Sequence, residues 1–362
     1  MNRKNIIKIN PSNIDIEKVK IAAKIIQKGG LVAFPTETVY GIGADTFNKN
    51  AITKIYTVKR RPANDPIIVH LSNFEQLNDV VLEIPPITYK IVDKFWPGPL
   101  TLILIKNPLV PSEVSAGLPT IAVRMPSHQI ARSLIELSGK TIAAPSANLF
   151  AKPSPTKANH VIEDLGSEID LIIDGGKADI GIESTVLDLT GDIPTILRPG
   201  GISFENIKSI IPKLIVAPKY LSFSSDTNQE SSSSPGMLVK HYSPIAKLLL
   251  FQGHECIVLE KMKRYIDTFL KQGKKIGILC VNEEIKYFQS TDIIIYSLGS
   301  IKNLSSIANS LFDGMRTLDN QGINIILVRS YSEEGIGLAI WDRLYRAAEG
   351  KVIKADTLNP DI

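Results

Sequence analysis

Apolar positions in the first 217 residues switch between two periods. Val19, Ala22, Ala23 and Ile26 recur at helical spacing, and Gly29-Gly30 ends that run, so a helix is predicted over 19–27. The same spacing predicts helices over 51–58, 88–95, 129–137 and 158–165. Short apolar runs predict strands at 31–34, 67–71, 100–105, 120–125, 141–144, 171–174, 185–189 and 195–198. The step from Leu189 to Thr195 is too short for a crossover helix, which implies antiparallel neighbours and a mixed, twisted sheet with helices. Beyond residue 245 the alternation is more regular. Strands at 246–251, 275–281, 292–296 and 324–328 are interleaved with helices at 255–271, 303–318 and 337–348, the pattern of a small Rossmann-like parallel α/β domain.

Composition adds a division. Residues 222–235 (SFSSDTNQESSSSP) hold seven serines and almost nothing apolar, too little to offset the entropy of ordering. The expected organisation is a larger α/β domain over 1–217, a linker over 218–244 and the Rossmann-like domain over 245–362. No apolar run approaches the roughly 18 residues of a membrane span, and the basic start MNRKNIIKINPSN lacks a signal sequence's apolar core. Cys256 and Cys280 can make neither a disulfide framework nor a four-thiolate zinc site, so a cytoplasmic location is expected, without membrane contact. The formal charge of +4 admits anionic ligands. With aromatics at 6% and no dense basic block, RNA remains a possible but weakly supported partner.

Standard signatures are missing. The chain has no G-x-x-x-x-G-K-[ST] loop, complete dinucleotide fingerprint, His-Glu-x-x-His pair or Gly-x-Ser-x-Gly elbow. Phosphate chemistry would need dispersed residues. Five clusters at predicted strand ends are candidates. Residues 34–43 (FPTETVYGIG) put hydroxyls, a carboxylate and two glycines into an expected turn. In 59–66 (KRRPANDP) three cations precede a proline-stiffened loop, which suits a polyphosphate or answers a helix C-terminus. Arg124, inside an apolar strand, needs either an internal carboxylate or a ligand. His70 ends another apolar strand, where a satisfied core imidazole is the commoner case. The remaining two are APSAN (144–148) with Ser154 close behind, and IESTV (182–186) followed by ILRPGG (196–201).

In this order, PTETVYGIG, KRRPANDPIIVH, FWPGPLTLIL, TIAVRMP, APSAN, IESTV and ILRPGG closely resemble the YrdC-like threonylcarbamoyl-AMP synthase family. The match runs from about Gly29 to Ile211. The remainder is similar to the family's long form, through Pro235-Gly236-Met237, His241-Tyr242-Ser243-Pro244 and, more loosely, Glu334–Ala339 with Trp341–Leu344.

The resemblance implies an enzyme that joins L-threonine, bicarbonate and ATP into threonylcarbamoyl-AMP and pyrophosphate. Mg²⁺ would arrive with ATP, no protein side chain serving as a metal ligand. The product would supply a transferase machinery that modifies the adenosine beside a tRNA anticodon. Residue by residue, it implies Lys59 and Arg61 as catalytic cations and ATP ligands, joined on the ATP side by Thr120, Ala144, Ser146, Asn148, Ser154, Arg198 and Tyr242. Where relatives read Asp-Asn-Pro this chain reads Asn64-Asp65-Pro66, so either Asn64 or Asp65 would face ATP. Thr38, His70, Arg124 and Ser184 would line the threonine pocket, and residues 235–244 would fold over the nucleotide as a lid. Two rival readings remain: the carbamoyl-adenylate chemistry of hydrogenase maturation, disfavoured by the missing zinc cysteines, and an RNA-binding module.

Overall fold

The computed structural model describes residues 5–217, 242–288 and 292–355, which fall into two compact units. One lies within Met1–Phe150 and Ser154–Leu238, the other within Ala151–Pro153 and Val239–Ile362. Of the expected linker over 218–244, residues 218–241 lie outside the described residues, as does most of the proposed lid.

The first unit runs β1 (Ile6–Lys8), α1 (Ile16–Gln27), β2 (Val32–Phe34), β3 (Gly41–Asp45), α2 (Lys49–Lys59), β4 (Ile68–His70), α3 (Leu77–Val80), α4 (Pro86–Phe95), β5 (Leu100–Ile105) and β6 (Thr120–Arg124). It continues with α5 (Gln129–Ser138), β7 (Ile142–Ala143), α6 (Ala158–Leu165), β8 (Leu171–Asp174), β9 (Thr185–Asp188), β10 (Thr195–Arg198), α7 (Phe204–Lys208) and β11 (Ile215–Val216). The strands form one mixed sheet in the order β1-β8-β2-β3-β7-β4-β6-β5-β9-β10-β11. As the short connection predicted, β9 and β10 are antiparallel.

Local chemistry explains the helix ends. The Asp15 carboxylate accepts from Lys18 N, and the Asn48 side chain accepts from Ala51 N, satisfying first-turn donors of α1 and α2. The anticipated face of α1 is the one that packs: Val19, Ala22, Ala23 and Ile26 are all buried. Residues 35–43 are not the turn that was expected throughout, because β3 begins at Gly41 and pairs with β2. Two glycines hid this strand. A Cβ on Gly43 would stand 2.5 Å from Ile142 Cγ2 and 2.7 Å from Phe34 Cε1, so neighbouring side chains fill the space a larger residue would use.

The second unit runs β12 (Lys247–Gln252), α8 (Glu255–Lys271), β13 (Ile276–Cys280), a 3₁₀ turn (Asn282–Tyr287), β14 (Ile293–Ser297), α9 (Leu304–Asn320), β15 (Ile325–Arg329), α10 (Gly337–Ala347) and β16 (Val352–Lys354). All five strands pair in parallel, in the order β14-β13-β15-β12-β16. The Rossmann-like expectation is met, with β16 an addition that three residues were too few to signal.

Candidate active site

Successive side chains of a strand point to opposite faces of its sheet. One face of the first sheet carries the main core, where Ala33, Ile42, Val69, Leu102, Val123 and Leu187 meet residues of α2, α4 and α6. On the opposite face, α1 and α5 cover β2, β7 and β8 through Val19, Ala23, Ile26, Ile130 and Leu134. Farther along that face Ile68, Ala122, Ile103 and Val186 form a separate apolar patch, to which no described helical residue contributes.

Beside the patch the strand register builds a row. His70 is opposite Arg124, Arg124 opposite Thr101, Thr101 opposite Val186, and Val186 opposite Arg198. Five neighbouring strands therefore carry His70, Arg124, Thr101, Val186 and Arg198 in one transverse line.

Arg198 reaches this line through an irregularity. Ile196 pairs with Leu187 and lies in the main core, and regular alternation would return residue 198 to the same face. A register shift between Ile196 and Arg198 inserts Leu197 and re-aims the guanidinium. Arg198 Nη2 then donates to Ser184 O at 3.0 Å and to Ser184 Oγ at 3.2 Å. Ser184 Oγ is in turn 2.7 Å from Thr101 Oγ1. The turn after Arg198 comes so close to this segment that a Cβ on Gly200 would stand 2.3 Å from both Ser184 C and Thr185 N.

The loop between β2 and β3 closes on the middle of the row. Thr36 Oγ1 donates to Val39 O at 2.6 Å and accepts from Thr38 N and Val39 N, which shapes the turn. Arg124 Nη1 donates to Thr38 Oγ1 at 2.9 Å, and Arg124 Nε donates to Gly98 O at 3.3 Å. Glu37 Oε1 lies 2.6 Å from Arg124 Nη2, with both side chains buried. Burial opposes ionisation of Glu37, but the Arg124 guanidinium and nearby N–H groups of Glu37 and Ser127 outweigh it and hold the carboxyl below its usual range. Burial, reinforced by Arg124, pushes His70 down to about 3, so its imidazole is neutral at physiological pH.

A second group forms at the C-terminal end of α2. Arg60 adopts the left-handed conformation, φ 52°, and ends the helix. Lys59 is the last helical residue and only 1% exposed, one position inside a helix that was expected to end at 58. Its Nζ donates to the carbonyl oxygens of Ser146 and Asn148, each at 2.5 Å. Edge-to-edge bonds fix that segment against the β2–β3 loop: Ile42 N donates to Pro145 O, and Ala147 N donates to Tyr40 O. Arg61 makes a buried pair with Asp65 at 2.9 Å and also donates to Pro66 O, whereas Asn64 is exposed.

The structure thus gathers Lys59 with Ser146 and Asn148, Arg124 with Thr38 and His70, and Ser184 with Arg198. Ala144 donates its N–H to Ile68 O, and Thr120 shares Arg124's face of β6, four residues or about 13 Å away. Ser154 donates a short hydrogen bond to Glu183. Tyr242 is buried within the second unit, its ring 5.2 Å from that of Phe312 and 5.1 Å from the Arg343 guanidinium. Sequence reasoning missed Glu37, Thr101 and Glu183 as site groups. The first had a signal, since a cation in an apolar strand calls for a carboxylate.

The family model described as "Telomere recombination" matches residues 24–200, and "Threonylcarbamoyl-AMP synthase, C-terminal domain" matches 202–349. The threonylcarbamoyl-AMP synthase of Pyrococcus abyssi is 44% identical over 337 residues, 93% of this chain and 96% of that one. The chain belongs to the threonylcarbamoyl-AMP synthase family. The Bacillus subtilis member is 41% identical, covering 92% of this chain and 93% of its own. The crystal structure of P. abyssi Sua5 complexed with L-threonine superimposes with a TM-score of 0.90 at 42% identity, covering 96% of this chain and 99% of that chain. The protein is accordingly a nucleotidyltransferase that forms threonylcarbamoyl-AMP, in the family's two-domain form. Among the described residues no helix is long and apolar enough to cross a membrane, and no group of three His, Cys, Asp or Glu is placed to hold a metal ion.

Proposed function

We propose that the transverse row from His70 to Val186 is the amino-acid end of the pocket, and that Arg198 at its far end and the Lys59 group are the nucleotide end, in the reaction of L-threonine, bicarbonate and ATP. The supporting observation is the row itself, where the guanidinium of Arg124 stands among the Thr38 hydroxyl and a neutral His70, with Thr101, Ser184 and Arg198 alongside. Arg124 has five N–H groups; one goes to Thr38, one to Gly98, and Nη2 faces Glu37 at 2.6 Å. Donors remain for a substrate carboxylate. Thr38, His70 and Ser184 supply hydroxyl and imidazole partners, which suits a hydroxy amino acid.

Carboxylation of the threonine amine by bicarbonate, with loss of water, creates a second carboxylate, whose oxygen attacks the α-phosphorus as the bond to pyrophosphate breaks. Two anions must approach, so neutralising and orienting the phosphates supplies most of the catalysis. Lys59, Arg61 and Arg198 neutralise. Thr120, Ser146, Asn148 and Ser154 orient, Ala144 leaves room at the strand end, and Asn64 is the exposed member of its pair. Mg²⁺ would arrive with ATP and supply charge neutralisation at the phosphates; the carboxylates of Glu37, Asp65 and Glu183 face Arg124, Arg61 and Ser154. The product is a reactive mixed anhydride, whose fate is a transferase that places the threonylcarbamoyl group on tRNA.

The division of the pocket is tested by steady-state pyrophosphate release with each substrate varied in turn. Arg124→Ala raises the KM for threonine far more than that for ATP, and Lys59→Ala does the reverse. Equal effects on both substrates would refute it.

A further inference from the structure

Glu37 is a buried charge with unused capacity. The residue is 4% exposed and lies beside Arg124, yet neither carboxylate oxygen accepts a well-aligned hydrogen bond. The 2.6 Å approach to Arg124 Nη2 is a charge contact outside hydrogen-bond alignment, and Nη2 itself is left without an aligned acceptor. An ionised carboxylate has about four acceptor sites; the Arg124 guanidinium and the N–H groups of Glu37 and Ser127 lower its pKa without giving either oxygen an aligned bond, and unused acceptor capacity in a buried place is costly. Spare acceptor capacity in an otherwise well-bonded loop suits a donor carried by a ligand.

The neighbours define the donor. Arg124 bonds Thr38 on one side and Gly98 on another, so its position is fixed without Glu37. His70 is neutral and cannot supply a cation. Glu37 and Arg124 make adjacent opposite charges, the arrangement complementary to an α-amino acid, whose carboxylate and ammonium are two bonds apart. We propose that Glu37 is a specificity-determining residue that receives the α-amino group of the substrate while Arg124 holds its α-carboxylate. This rests on the assignment of the row to threonine. Glu37 remains ionised and acts by orientation, holding the nitrogen beside the carboxylate-binding guanidinium before the amine reacts.

The test compares two ligands by calorimetry on the full chain: L-threonine and its desamino analogue (2S,3R)-2,3-dihydroxybutanoate, in which a hydroxyl replaces the amine. The unaltered protein prefers threonine. Glu37→Gln weakens threonine about 10- to 100-fold, the range of a hydrogen bond to a charged group, and leaves the analogue within about twofold by that same argument. Equal weakening of both ligands would assign Glu37 a merely structural role and overturn the proposal, as would unchanged binding of both. If Glu37→Gln does not fold, Glu37→Asp, which keeps the charge but withdraws it, is judged by the same ratio. Arg124→Lys separates the two readings. If threonine binding ignores it, the pocket assignment fails and the Glu37 role with it; if binding responds while the ligand preference ignores Glu37, only the Glu37 role fails.

Discussion

His70 and Arg124 are register partners on the parallel strands β4 and β6, and the guanidinium helps to keep the imidazole neutral. Burial is the larger cause of the low imidazole pKa, about 3, and the guanidinium adds to it. A neutral ring beside a fixed cation can donate or accept a hydrogen bond without adding a second positive charge to the threonine end.

This pair predicts an acid-sensitive fold. The native ring titrates near 3, whereas an unfolded histidine titrates near about 6.5. Its contribution is thus fully present above the unfolded value. It is lost as pH falls from there towards 3, because only the unfolded chain binds the proton in that window. Urea unfolding between pH 7.5 and 4.5 should show the unaltered protein losing stability more steeply than His70→Asn, by up to ~1.4 kcal/mol per pH unit. Parallel slopes would count against a neutral buried His70.

Lys59 bridges two carbonyls of the segment that carries Ser146 and Asn148. Lys59→Met preserves the apolar stem but removes both bonds and the charge. It should lower kcat/KM for ATP on the order of 10²-fold, the scale for loss of one charge-stabilising donor. Threonine binding, measured without nucleotide, should stay within about twofold by the same separation of roles.

Gly200→Ala forces a methyl group against the backbone of Ser184 and Thr185. Backbone atoms cannot step aside as a flexible side-chain end can, so about 1–3 kcal/mol of stability is lost. Because the displaced segment carries Ser184, which is bonded to Arg198 and Thr101, threonine KM should rise as well. Chemical denaturation and kinetics on the same preparation check both effects.

Arg61 and Asp65 form a pair with side chains 4% and 0% exposed. Asp65→Asn leaves a buried guanidinium without its counter-charge, at a cost of about 3–5 kcal/mol. A melting temperature unchanged by this substitution would mean that water reaches Arg61 and that the pair is not a structural anchor.

The elements that were readable share one property: their signal is repeated along the chain. In α1, four buried positions at helical spacing specify the face, and Leu100–Ile105 carries enough consecutive apolar residues to declare a buried strand. The 3-residue strands β1 and β16 and the 2-residue β11 are too short for a period to emerge, and exist through pairing with partners distant in sequence. In β3 the glycines conceal a strand whose packing comes from Phe34 and Ile142.

The site divides in the same way. Residue types and their order were enough to nominate Lys59, Arg61, Arg124, Ser146, Asn148 and Arg198, because cations and hydroxyls at strand ends suit phosphate and carboxylate ligands and the motif strings resemble one family. Tertiary structure alone decided that Lys59 is buried against two carbonyls, that an extra residue at Leu197 turns Arg198 onto the row, and that Glu37 stands beside Arg124. The reason is physical. Periodicity records which side of its own element a residue occupies, whereas strand register and the closure of a loop depend on contacts between segments far apart along the chain.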